Sequence, residues 1–311
     1  MSLDRASIGV SKRMRVALVL LLTAVLSSSY YFYSGLRGSL AIKVGDAPHA
    51  FNYPEPSGDP KTLLADATHL YWLSNGPKAA PLFAKAEKLF AAEGDSRNEL
   101  YAKVGRLRSQ AETMSFVDLS RILNEQLQTP IVKNDSRLRL WILIAKGYTD
   151  IELDYRVSKR DWLEAQDIVK SLNESQWVTR ASGELGLIAF LEGNPGRAAR
   201  LLGGALLSTM TNGDTAGQVR FLELLGRGFE EVNRNAEALR FFERAIKLAE
   251  ADPDCGLPFM GYEGKAQALI SLGKTEEARS VLESALAKAQ SQDKRGHEAE
   301  LLVRLGRLAA P

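Results

Sequence analysis

Glycines at positions 186, 226 and 306 recur at a forty-residue interval, and Ala266 fills the fourth slot of the same series. A fixed interval of this length marks an array in which each supersecondary unit packs on its neighbours. It predicts a stacked, all-α solenoid, whose number of units is not bounded by the size of a single core. Around Gly226, Leu222, Leu225 and Phe229 recur at helical spacing up to a break at Asn233. Beyond the break, Ala238, Phe242 and Ala245 recur at the same spacing. Small residues at 226 and 238 let two helices approach, and the large ones fill the space around the contact.

Shifting this pattern back by forty gives Leu185, Gly186 and Ala189, a turn at Gly193-Asn194-Pro195, then Ala198, Leu202 and Ala205. Shifting it forward gives Tyr262, Ala266 and Leu269, a turn at Gly273, then Ala278, Leu282 and Ala285. These residues resemble the tetratricopeptide repeat, which places an aromatic or Leu, Leu-Gly, Tyr, Ala, Phe and Ala at such intervals. The resemblance implies a right-handed superhelical solenoid of antiparallel helix pairs across 61–311, most regular over 177–290. The family's usual period is about 34 residues, so connections such as 252–258 must be longer here. Upstream, Leu63, Ala67, Leu70, Ala79, Phe83 and Ala86 fit a first unit turning at Asn75-Gly76-Pro77. Segments 98–128 and 137–173 read as divergent units. Gly203-Gly204, inside a second helix, is expected to permit close packing. Tryptophans 72, 141, 162 and 177 all fall in the irregular half, where packing is the expected role and ligand stacking the alternative. Leu302, Leu305, Gly306 and Ala309 predict a terminal first helix over 295–310, either a cap or the opening half of a further unit.

The N-terminal segment carries a different signal. Arg5, Lys12, Arg13 and Arg15 precede an apolar run from Val16 to Leu26, followed by serines and Tyr30-Tyr31-Phe32-Tyr33. Residues 1–15 are expected to be a cytoplasmic basic tail, and 16–33 a signal-anchor transmembrane helix or, cleaved near Ser27-x-Ser29, a signal peptide. Eighteen residues span about 27 Å as a helix, just enough for a bilayer. Residues 34–60 hold four glycines and four prolines and read as a linker. The expected location is the cytoplasmic (inner) membrane with the array extracytoplasmic, or periplasmic or secreted after cleavage.

Several chemistries are disfavoured. Forty Lys and Arg against thirty-eight Asp and Glu leave a formal charge of +2, so nucleic acid is not an expected partner. A single cysteine, Cys255, and three scattered histidines supply no metal-ligand spacing. No Gly-x-Ser-x-Gly, phosphate-binding loop or dinucleotide fingerprint occurs, so neither a catalytic residue nor a cofactor is predicted and the protein is not expected to be an enzyme. The remaining function is protein–protein interaction by a scaffold or assembly factor. The alternative is a sensory region of a signal-transduction protein, such as a sensor kinase whose output domain is absent from this chain.

By resemblance, the first helix of each pair lines the concave groove. That face would present Arg220, Glu223, Arg227 and Glu230 from one unit, Arg180, Leu187 and Phe190 from the unit before, and Glu263 and Gln267 from the unit after. A groove of mixed charge with apolar spots suits an extended peptide or a partner helix. The Lys and Asn clamp by which some members of the family grip a peptide carboxyl terminus is absent at the matching positions.

Overall fold

The computed structural model describes residues 58–172 and 175–309. The basic tail, the apolar segment 16–33 and nearly all of the linker lie outside the described residues. No helix among the described residues is long and apolar enough to cross a membrane. The described chain is all-helical: α1 (Pro60–Trp72), α2 (Gly76–Glu93), α3 (Ser96–Ser109), α4 (Phe116–Leu127), the short α5 (Pro130–Lys133), α6 (Ser136–Asp150), α7 (Tyr155–Leu172), α8 (Ser175–Leu191), α9 (Pro195–Asn212), α10 (Thr215–Glu231), α11 (Asn235–Glu250), α12 (Phe259–Ser271), α13 (Thr275–Ser291) and α14 (Arg295–Ala309).

Local chemistry sets the boundaries. Asn75, Asp95, Ser115, Asp135, Asn194 and Asp214 each cap a helix by accepting a backbone N–H of its first turn. Inside the regular pairs the chain reverses through a left-handed residue that keeps the forty-residue interval: Gly193, Asn233 and Gly273 have φ of 74°, 59° and 78°. Glycine and asparagine tolerate that conformation best, which explains the residue types at these turns.

The glycine series has a steric basis. A Cβ on Gly226 of α10 would lie 2.6 Å from the ring of Phe242 in α11, and one on Gly264 of α12 would lie 2.2 Å from the same ring. Phe242 is fully buried, held between a glycine of its own pair and a glycine of the next. Phe83 against Gly105, Trp162 against Gly147 and Phe221 against Gly183 repeat the contact elsewhere in the array. Gly203 and Gly204 do not serve as expected: they face outward from α9, and a Cβ on either would have no neighbouring atom within 4 Å.

The irregular half departs from simple pairing. α4 packs mainly on α6, not on α3, and a 3-10 turn at Ala111–Thr113 separates it from α3. Buried Leu119, Leu123 and Leu127 replace the small residues of a regular second helix and hold α4 farther from its predecessor. A second departure joins distant units. Gly256, in the connection before α12, donates its N–H to the carbonyl of Leu73 at 2.9 Å, and the Asn75 amide donates to the carbonyl of Asp254 at 3.0 Å. Lys78 pairs with the Asp254 carboxylate at 2.9 Å. Any side chain at 256 would meet the Ser74 carbonyl, since a Cβ there would lie 2.1 Å from it.

These packing differences separate two otherwise similar substitutions. Gly264→Ala is expected to cost about 1–3 kcal/mol by driving a methyl into the Phe242 ring. Gly204→Ala, on an open helical surface, is expected to stabilise by about 0.5–1 kcal/mol. Denaturant titrations of the two variants beside the unmodified chain check both signs.

Candidate functional site on the inner helices

From α8 to α14 the first helices of successive pairs are tied together by charge. Arg180 of α8 donates to both oxygens of Asp214, the cap of α10, at 2.8 and 2.6 Å. Four residues along α8, Glu184 accepts two hydrogen bonds from Arg220 of α10, both 3.0 Å. Glu223 of α10 accepts the N–H of Gly261 in α12 at 2.7 Å. Arg227 pairs with Glu230 at 3.1 Å and with Glu263 of α12, which Arg304 of α14 also approaches. Arg180, Glu184, Glu223 and Glu263 are all buried, so losing one partner would leave a charge in a low-dielectric setting.

The other half of this face is aromatic. Tyr101 of α3 stacks on Trp141 of α6 with ring centroids 4.6 Å apart, and the indole N–H donates to the Tyr101 carbonyl at 3.1 Å. Tyr71 of α1 meets Trp141 edge-on at 5.0 Å. Trp72 lies against Trp177 of α8 at 4.0 Å, and the Arg180 guanidinium sits 4.3 Å from the Trp72 ring centroid. Arg180 therefore links the ion pairs to the aromatic cluster. Burial drives the Tyr148 phenol well above its ordinary range, and the neighbouring Glu184 carboxylate adds to the effect.

Beside these rings lies a cavity of about 240 Å³. Leu140, Trp141, Ile144 and Trp177 form its floor, with Leu64 and Tyr101 as walls and Arg97, Asn98 and Arg137 on the rim. Arg97 is already held by Asp135 at 2.5 Å, which fixes its guanidinium at the edge of the opening. The arrangement offers an apolar seat with polar groups at its mouth, the usual composition of a small binding site.

The sequence-predicted residues are distributed unevenly. Arg180 and Glu263 are buried members of the ion-pair series and Arg220, Arg227 and Glu230 less buried ones, while Glu223 is buried among them and bonded to the Gly261 N–H. Leu187 is half-buried against the cluster of Leu202, Phe221 and Leu224, and Phe190 is likewise half-buried near the end of α8. Gln267 is exposed and, with Glu263, Ile270 and Arg304, borders a smaller cavity of about 130 Å³. The sequence reading missed Glu184 and Asp214 as partners and missed the cavity near α3 and α6. A signal existed: Glu184 to Arg220 and Arg227 to Glu263 are both thirty-six residues apart. That is one repeat less one helical turn, the offset that brings side chains on neighbouring first helices level.

The model of a family described as tetratricopeptide repeat matches residues 222–255. The chain carries a tetratricopeptide repeat. No curated protein matches the sequence. Among solved structures, NprR in complex with its cognate peptide NprX is similar at TM-score 0.61 and 13% identity, covering 94% of this chain and 84% of that one. A Rap protein complexed with Competence and Sporulation Factor is similar at TM-score 0.57 and 11% identity, covering 80% of this chain and 71% of that one. The apo quorum sensor NprR from B. thuringiensis is similar at TM-score 0.51 and 13% identity, with 94% and 80% covered. The likeness is one of fold: successive repeats stacked across most of the chain.

Glu223 gives the inner face a pH dependence. Burial raises its carboxyl from 4.5 to about 7, with Arg220, the Gly261 N–H and Arg227 pulling the other way. A carboxyl raised in the folded state contributes stability below its unfolded pKa and loses it as the pH rises through the folded value. The melting temperature of the unmodified chain is therefore expected to fall between about pH 4.5 and 7 relative to Glu223→Gln. Asp161, which burial also raises, is present in both proteins, so the difference between the two melting curves isolates Glu223.

Proposed function

We propose that the protein is a non-catalytic peptide-binding module, with the cavity among α1, α3, α6 and α8 seating an apolar side chain of an extended ligand. The observation that carries this reading is the composition of the cavity. Its floor is buried and apolar, while its rim holds two guanidinium groups and an amide. A peptide with an aliphatic or aromatic side chain next to a carboxylate matches both parts, since guanidinium groups bind carboxylates with directed hydrogen bonds. NprR was solved with its cognate peptide and the Rap protein with a named factor, which supports a ligand of the same class here. The basic residues before the apolar segment 16–33 support placing the module outside the cytoplasmic membrane, tethered or released. The mass of the mature protein distinguishes tethering from release.

The test is selection from a library of displayed ten-residue peptides, followed by fluorescence anisotropy on the enriched sequences. Enriched peptides are expected to share an apolar residue beside an acidic group. Leu64→Trp, which fills the cavity from its half-exposed wall, is expected to weaken them by about tenfold or more while the melting temperature stays within about 2 °C. Undiminished binding by that variant would remove the cavity from the reading.

A further inference from the structure

We infer that Arg108, beside the phenols of Tyr71 and Tyr148, holds a carboxylate of the ligand about 10 Å along the inner face from the apolar seat. The inference rests on the reading of the cavity as a peptide seat and adds a second anchor to it. It starts from a pairing that recurs. Tyr101 of α3 stacks on Trp141 of α6, and both border the cavity. Seven residues on in each helix stand Arg108 and Tyr148, and the Arg108 guanidinium lies over the Tyr148 ring, 5.8 Å from its centroid. Seven residues are close to two helical turns, so the second pair repeats the first on the same faces of α3 and α6. Arg220 approaches the same ring at 5.9 Å.

The charge of Arg108 is unanswered, unlike that of its neighbours. Asp214 holds Arg180 and Glu184 holds Arg220, each through two hydrogen bonds. No carboxylate among the described residues pairs with Arg108, and its Nε is buried without a hydrogen-bond acceptor. Glu112, one turn farther along the chain, lies instead against the His297 ring nitrogen at 3.2 Å. A guanidinium that has lost part of its hydration without gaining a counter-ion takes up an anion at little further desolvation cost. The two phenols supply additional donors. Burial raises both, in Tyr71 against the pull of Arg108 and Arg180, so both keep their protons at neutral pH. An extended chain advances about 3.3 Å per residue, which places the carboxylate about three residues from the apolar side chain in the cavity. The source of that carboxylate is an acidic side chain or the terminus of the peptide.

The experiment is affinity selection from a pool of synthetic ten-residue peptides, in free-acid and amidated forms, on the unmodified chain and on Arg108→Gln, with bound peptides read by mass spectrometry. On the unmodified chain, peptides with a carboxylate about three residues from an apolar residue are expected to dominate. On Arg108→Gln that carboxylate loses its advantage while the apolar preference persists. Enrichment of free acids over amides assigns the terminal carboxylate, and equal enrichment assigns a side chain. For one enriched peptide labelled with fluorescein, Arg108→Gln and conversion of the acid to its amide are each expected to weaken binding about tenfold, and the two together no further. Additive losses would give Arg108 a role in the fold alone and overturn the inference, as would an acidic preference unchanged on Arg108→Gln. Circular dichroism and the melting temperature check that the variant folds; if it does not, Arg108→Lys, which keeps the charge and loses the planar fork, carries the same cycle. Loss of the apolar preference with the Arg108-dependent acid retained removes the cavity reading alone, and enrichment of no peptide removes both.

Discussion

Aromatic rings seated on glycines of neighbouring helices set the closest approaches in the array. Phe242 reaches both Gly226 and Gly264 because neither carries a Cβ, and the two first helices α10 and α12 are drawn to a common ring. Close-packed interiors have little slack, so a single methyl at either glycine would change the spacing of two helix pairs at once. Everything on the inner face inherits its alignment from this spacing. The ion pairs between α8, α10 and α12 close only because the helices that carry them are held at a constant distance and offset.

The inner face is consequently divided by chemistry. Its later part commits buried charges to the joints between helices, where they specify register more than they add stability. Its earlier part commits indole and phenol rings packed on one another, with the cavity beside them. A ligand arriving at this face would therefore meet a structured, already paired surface at one end and an apolar opening at the other. Arg180 belongs to both, hydrogen-bonded to Asp214 and resting on Trp72.

Much of the fold was legible because its signals repeat. Gly186, Gly226 and Ala266 mark helix crossings, and Gly193, Asn233 and Gly273 mark turns, so the units between 177 and 290 could be aligned by shifting the sequence on itself. The earlier half was harder for a physical reason. α4 buries leucines where a regular second helix has alanines, which moves it onto α6, and no local pattern announces that choice. Even there the interval survives, since Trp141 and the Tyr101 carbonyl it binds are forty residues apart. The site was less legible than the fold. Arg220, Arg227 and Glu263 were readable as charges on one face, but the pairing of Arg220 with Glu184 and of Arg227 with Glu263 depends on an offset of thirty-six, which a search at forty passes over. The cavity is assembled from helices α1, α3, α6 and α8, between Leu64 and Trp177, and no spacing within one segment encodes it.

Open arrays of repeats behave as one-dimensional chains, in which an end unit is lost without disturbing the centre. The bond from Gly256 to Leu73, with Lys78 and Asn75 gripping Asp254, removes that freedom from the first hairpin. Its unfolding must break contacts with a segment far along the chain, as the Asn75 to Asp254 separation of 179 shows. The first unit thereby loses the role of a fraying end. Local opening of the turn between α1 and α2 therefore also breaks contacts with the connection between α11 and α12, which raises its cost above that of a free end.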